Sequence, residues 1–128
     1  MTLSSIVRDD ASVAENVLAD VLRPLLEITP GGELLPHPIF FVLSPGAKVL
    51  AVLVAIKAMH ILKIRTEESA GPTEISNLGG IPVGSVKPEV RRLQRENLIM
   101  SRQGRYHVPL RSISLIADRL SKEIGIGH

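Results

Sequence analysis

Lys87, Arg91, Arg92 and Arg95 fall within nine residues, at spacings that gather four cations on one side of a helix. The window 87–111 holds seven basic side chains against two acidic ones, a net of +5, although the 128-residue chain totals only +2. Residues 1–45 hold two basic against six acidic side chains, a net of −4. A confined cationic stripe beside an acidic arm suits a protein that meets a polyanion with one face. Ser85, Lys87, Pro88, Arg91, Arg92 and Arg95 are the candidate contacts on the helix, and Arg102 and Arg105 are those just beyond it.

At about 100° per residue, Val86, Val90, Leu93 and Asn97 share one side of this helix. Gly84, Pro88, Arg91 and Arg95 lie opposite, with Lys87 and Arg92 on the flanks. An apolar side anchors such a helix and a cationic side faces out. B-DNA accepts an α-helix in its major groove, and the first turns approach the base edges most closely. Gly84 and Ser85 leave room for that approach, and unpaired amides at a helix start suit a phosphate. Proline is tolerated only early in a helix, so Pro88 places the start at 83–85. On an ordinary packing helix the same charges form a solvated face. The elements on either side weigh toward nucleic acid.

Those elements are legible from local signals. Val17, Leu18, Val21, Leu22 and Leu25, with Ala14, mark an apolar stripe over 11–28, with Asp10 or Ser12 as cap. Pro24 kinks that helix or ends it near Leu22. Residues 29–32 read as a turn. Residues 34–43 read as an extended segment closing in an apolar edge strand. Ser44 and Pro45 open a helix over 45–62 that is apolar around nearly its whole circumference. Lys48, Lys57 and His60 interrupt it, so it reads as a helix buried by its own domain and a partner subunit, not as a membrane span. After a polar loop at 65–71, a short helix over 72–78 ends at Gly79-Gly80 and leads into the basic helix, 84–97. Residues 98–102 and 105–109 read as strands around Gln103-Gly104, with Tyr106 and Val108 turned toward the core. Ser112 caps a last helix whose apolar stripe is Ile113, Ile116, Ala117, Leu120 and Ile124.

The stretch Pro72-Thr-Glu-Ile-Ser-Asn-Leu-Gly-Gly-Ile-Pro-Val-Gly-Ser-Val-Lys-Pro-Glu-Val-Arg-Arg-Leu-Gln-Arg-Glu-Asn-Leu-Ile99, followed by Gly104-Arg-Tyr-His-Val-Pro109, resembles the DNA-binding domains of PadR-like and MarR-like regulators. Its segment Gly84-Ser-Val-Lys-Pro-Glu-Val-Arg-Arg-Leu93 is most similar to the PadR-like recognition helix. The resemblance covers residues 44–109, and residues 1–43 match no family. It implies a winged helix-turn-helix over 44–110 with a small β-hairpin wing; with the N-terminal helix and arm read over 1–43 and the C-terminal helix read over 111–128, the expected fold is mostly α. The implied activity is sequence-specific binding of double-stranded DNA as a transcription regulator, with helix 84–97 in the major groove and Arg102 and Arg105 reaching phosphates.

A regulator of this kind needs two recognition helices at a fixed separation. Helices 11–28, 45–62 and 112–124 carry more apolar surface than one small domain uses, and they are the expected homodimer interface. The segment between helix 45–62 and the N-terminal arm offers no convergent polar groups, so no effector site is assigned.

Other classes fare worse. There is no cysteine, which excludes a disulfide framework, a thiolate zinc site and a cysteine nucleophile. One tyrosine, two phenylalanines and no tryptophan exclude a surface that stacks several bases. His37, His60, His107 and His128 are scattered, without a second ligand at helical spacing, and His60 reads as a satisfied core or interface residue. The pairs Asp9-Asp10 and Glu67-Glu68 sit in polar stretches that read as solvated. No phosphate-binding glycine loop occurs. The expectation is a non-enzymatic protein without metal or cofactor. Residues 1–8 lack the pattern of a signal peptide, so the default location is cytoplasmic. The competing reading is a winged-helix scaffold that binds protein alone, which has no use for positive charge concentrated at Lys87, Arg91, Arg92 and Arg95.

Overall fold

A computed structural model describes residues 10–125, with side chains from Glu15 onward. The expected cap at Asp10 or Ser12, the Ala14 position, the Asp9-Asp10 pair and His128 lie outside these described side chains.

Pro24 decides the fate of the first helix. Helix α1 (Asp10–Leu22) stops two residues before it. The chain turns through Leu25, whose amide bonds to the Leu22 carbonyl, and enters strand β1 (Leu26–Ile28). Of the two expected outcomes at Pro24 the helix takes the end near Leu22, and residues 26–28, which the expected apolar stripe includes, pair antiparallel with β2 (Leu34–Pro36), Leu26 opposite Pro36 and Ile28 opposite Leu34. Thr29 closes the connecting turn: its hydroxyl accepts from the Glu33 amide and its carbonyl from the Gly32 amide. This is a second hairpin that the sequence pattern does not announce.

The expected edge strand at 39–43 is instead a single helical turn, α2 (Pro38–Phe41). A strand would bury alternate residues, whereas here Phe40 and Leu43 are buried and Ile39, Phe41 and Val42 are exposed. The three-residue spacing is helical, and Pro38 sits where a helix start needs no amide.

Ser44 accepts from the Ala47 amide and Pro45 opens helix α3 (Pro45–Ile61), as its sequence dictates. Val49 through Ile56 are completely or almost completely buried. Helices α1, α4 (Pro72–Gly79), α5 (Val83–Arg95) and α6 (Ile113–Ile124), together with strand β4 (Arg105–His107), pack around α3. The burial expected from a partner subunit is thus supplied by the chain itself. One hydrophobic core runs from Leu18 to Leu120 through α3. Each fully buried Leu, Ile or Val contributes about 1.5–3 kcal/mol relative to exposure. Among the described residues no helix is long and apolar enough to cross a membrane.

Strand β3 (Met100–Arg102) pairs antiparallel with β4, Met100 opposite His107 and Arg102 opposite Arg105. A short turn of tighter helix at Leu110–Ser112 leads into α6. Ser112 does not cap α6 with its side chain. It is buried, and its hydroxyl donates to the Asn97 carbonyl at 3.3 Å, tying the start of α6 to the end of α5. The described chain is mostly helical, with two small antiparallel hairpins.

Candidate nucleic-acid interface

The α4–α5 turn aims the basic helix. Gly80 takes φ = 63°, a left-handed conformation that only glycine adopts without cost, and the Ile81 amide bonds back to the Ser76 carbonyl. The Ser76 hydroxyl donates to the Ile81 carbonyl, closing the turn from the other side. A Cβ at Gly79 would lie 2.6 Å from a Val52 methyl, so that position must be bare for α4 to rest on α3.

Helix α5 begins at Val83, within the expected window. That start makes Pro88 the sixth helical residue, beyond the first turn where a missing amide is free of consequence. The Gly84 carbonyl consequently has no amide four residues on, and Gly84 is exposed. Val86, Val90 and Leu93 are buried against the core. Asn97, expected on that same side, lies outside the helix. It takes φ = 62° and terminates α5 in a Schellman arrangement, the Leu98 amide bonding to the Leu93 carbonyl and the Asn97 amide to the Gln94 carbonyl.

The opposite face of α5 presents Gly84, Lys87, Pro88, Arg91 and Arg95, all exposed, with Ser85 half-buried at the edge. Among the described residues no carboxylate pairs with Lys87, Arg91, Arg95 or Arg102 within 4 Å. The other two candidates stand differently. Arg92 is paired with Glu89 one turn back, and the pair lies over Gly46 of α3, so this guanidinium turns toward the protein. Arg105 is held by Glu67, by Glu74 at 3.4 Å, by the Ser69 hydroxyl at 3.0 Å and by the Ser69 carbonyl at 2.7 Å. Its Nε and Nη2 are engaged within the chain, which weighs against the expected phosphate contact.

The hairpin follows α5 in the chain, and its strand β4 packs on α3. Gln103 and Gly104 both have positive φ, 54° and 76°, the two-residue turn whose twist matches paired strands. Tyr106 is half-buried against the core and Val108 is fully buried, as expected. The Tyr106 and Ala70 backbones exchange two hydrogen bonds of 2.9 Å, which ties β4 to the 63–71 loop.

Two ion clusters in that loop were not anticipated. Arg65 grips both carboxylate oxygens of Glu74 at 2.8 Å and also bonds the Ser69 and Glu67 carbonyls. Buried Lys57 of α3 donates to Glu68 at 2.7 Å, and the Nε2 atoms of His60 and His107 lie 3.9 and 3.8 Å from the same carboxylate. The Glu67-Glu68 pair is therefore engaged in ion pairs, where solvation was expected. The bond from Lys57 holds the Glu68 carboxyl below its ordinary range, against the opposing effect of partial burial. The bond from Arg65 lowers Glu74 in the same way. His60 donates from Nδ1 to the Thr66 carbonyl at 3.0 Å, and its half-exposed ring is not the core position expected. Among the described residues no group of His, Asp and Glu is arranged to hold a metal ion.

Comparison with protein-family models, curated proteins and solved structures finds no match to this chain.

Proposed function

We propose that residues 44–110 form a winged helix-turn-helix that binds double-stranded DNA, with α5 in the major groove and the β3–β4 hairpin as the wing, and that the chain acts as a dimeric transcription regulator. The observation that carries this reading is the outer face of α5. Lys87, Arg91 and Arg95 stand exposed without a carboxylate partner among the described residues, beside a helix start kept low by Gly84 and Pro88. Arg102 extends the unpaired charge onto the hairpin. Ser85 and Pro88 lie where the helix would meet the groove. Arg92 and Arg105 take supporting roles: one sits over α3 and the other anchors the hairpin.

The reading assigns the protein no catalysis and no cofactor. Its test is an anisotropy titration of labelled duplex DNA across a salt series. Affinity should fall steeply with salt, each phosphate contact adding about one unit of slope. Arg91→Ala combined with Arg95→Ala should weaken binding by about 2–6 kcal/mol, taking about 1–3 kcal/mol for each contact. Unchanged affinity in the double variant removes α5 as the reading helix. Absence of any duplex binding by the native chain turns the assignment to the scaffold alternative.

A further inference from the structure

A groove of about 480 Å³ opens between α1, β1 and the last turn of α3. Leu18, Leu22, Leu26, Ile28 and Ile61 form its walls, and Leu62, 58% exposed, forms its lip. The charged groups on the α1 side, Glu15 and Arg23, are exposed at the rim, with the exposed Asn16 beside Glu15. Glu15 lies near the middle of α1 and Arg23 just past its end, with Ala19 midway between them. These three stand four residues apart in turn, on one exposed face of α1.

We propose that this groove seats a second copy of the chain, related by a two-fold axis passing beside Ala19. Two α1 helices laid antiparallel about that point bring Glu15 opposite Arg23 of the partner subunit, and the symmetry forms the same pair again. A parallel arrangement sets like charges against each other, so the charge order selects the antiparallel one. Ala19 at the crossing is small enough for axes to approach to about 8–10 Å, and the exposed edge of Leu62 comes under cover.

A small-molecule occupant fits less well. Such sites combine apolar walls with polar groups aimed inward. Here Glu15 and Arg23 are exposed at the rim, separated by about 12 Å of helix rise. In the single chain Arg23 is held by Asp20 at 3.1 Å, but both partners are largely exposed and free to rearrange. The inference rests on the pairing of two chains that the proposed function requires, and it adds the surface and the symmetry.

The test is the mass of the full chain in solution without DNA, by sedimentation equilibrium over a concentration series. The native chain should approach dimer mass. Glu15→Arg alone and Arg23→Glu alone should each weaken association by about tenfold or more through like-charge contacts. The double variant Glu15→Arg with Arg23→Glu should recover most of it, because exchanging both signs restores both pairs. Circular dichroism melts of every variant confirm folding.

A native chain that stays monomeric throughout overturns the proposal. So does a single reversal that leaves association unchanged, or a double variant no better than the singles. A monomer that takes up anilinonaphthalene sulfonate, with uptake lost in Leu62→Asp, also overturns it and gives the groove to a small ligand. A dimer that fails to bind duplex leaves this inference standing and removes only the proposed function. A monomer that binds duplex overturns this inference and removes the dimer from the proposed function, leaving only its DNA contact.

Discussion

Arg105 of β4 and Arg65 of the preceding loop converge on one carboxylate, Glu74 of α4, at 3.4 and 2.8 Å. The hairpin is thereby joined by charge to the helix before α5, as well as by the backbone pairing of Tyr106 with Ala70. The hairpin and the start of α4 form one unit.

Replacing Glu74 with Ala leaves two guanidiniums without their shared counter-charge. Arg65 is only 19% exposed at its side chain, whereas Arg105 and Glu74 are more open to water. Screening limits the cost, and a loss of about 1–2 kcal/mol is expected. The urea midpoint should fall at constant slope. Amide exchange at Tyr106 and Arg105 should quicken more than exchange in α3. A midpoint equal to that of the native chain would show that the backbone pairing alone holds the hairpin.

Acid should weaken the fold through the same loop. The carboxyls of Glu68 and Glu74 are lowered in the folded chain from an ordinary value of 4.5, by hydrogen bonds from Lys57 and Arg65 respectively. Folding then favours the ionised forms, so the stabilisation is fully present well above 4.5. It declines as the pH falls past 4.5 and is lost once the pH passes below the lowered folded values. A double variant, Glu68→Gln with Glu74→Gln, should be less stable at pH 7. Its denaturation midpoint should change less than that of the native chain between pH 6 and pH 3. Parallel curves for the two proteins would contradict the assignment.

Leu53 lies at the centre of α3 with no exposed surface, packed about by the other helices. Leu53→Ala should cost about 2–5 kcal/mol, because a helix enclosed on every side cannot collapse into the space. A cost below 1 kcal/mol in chemical denaturation would mean that α3 is less enclosed than its burial indicates.

Pro88 leaves the Gly84 carbonyl without its helical amide. Pro88→Ala restores that bond. Against about 3 kcal/mol for an interior proline stands about 1 kcal/mol that proline returns by restricting the unfolded chain. A net gain of about 1–2 kcal/mol in thermal or chemical denaturation is therefore expected. A destabilised variant would show that α5 is shaped around the proline.

What the sequence reveals follows the range of the forces involved. Ser44-Pro45 opens α3, Gly80 ends α4, and Gln103-Gly104 turns the hairpin, each through its own backbone and nearest neighbours. The Glu89–Arg92 pair is likewise legible as a three-residue helical spacing. Arg105 is different. Its carboxylates stand 38 and 31 residues away in the chain, and no periodicity links them. The hairpin of β1 and β2 hides for a related reason: strands of three residues carry too short an alternation to register, and Pro36 and Pro38 disguise the second strand. Helix α3 shows where composition misleads, since an all-round apolar helix needs cover but does not specify whose.

The central claim concerns the outer face of α5, and amide shift mapping of the labelled chain titrated with duplex DNA tests it most directly. The account predicts that the largest perturbations fall at Gly84, Ser85, Lys87, Arg91, Arg102 and Gly104, with those of α1 and β1 small. Perturbations centred on α1 or α6, or a spectrum that duplex leaves unmoved, would contradict it.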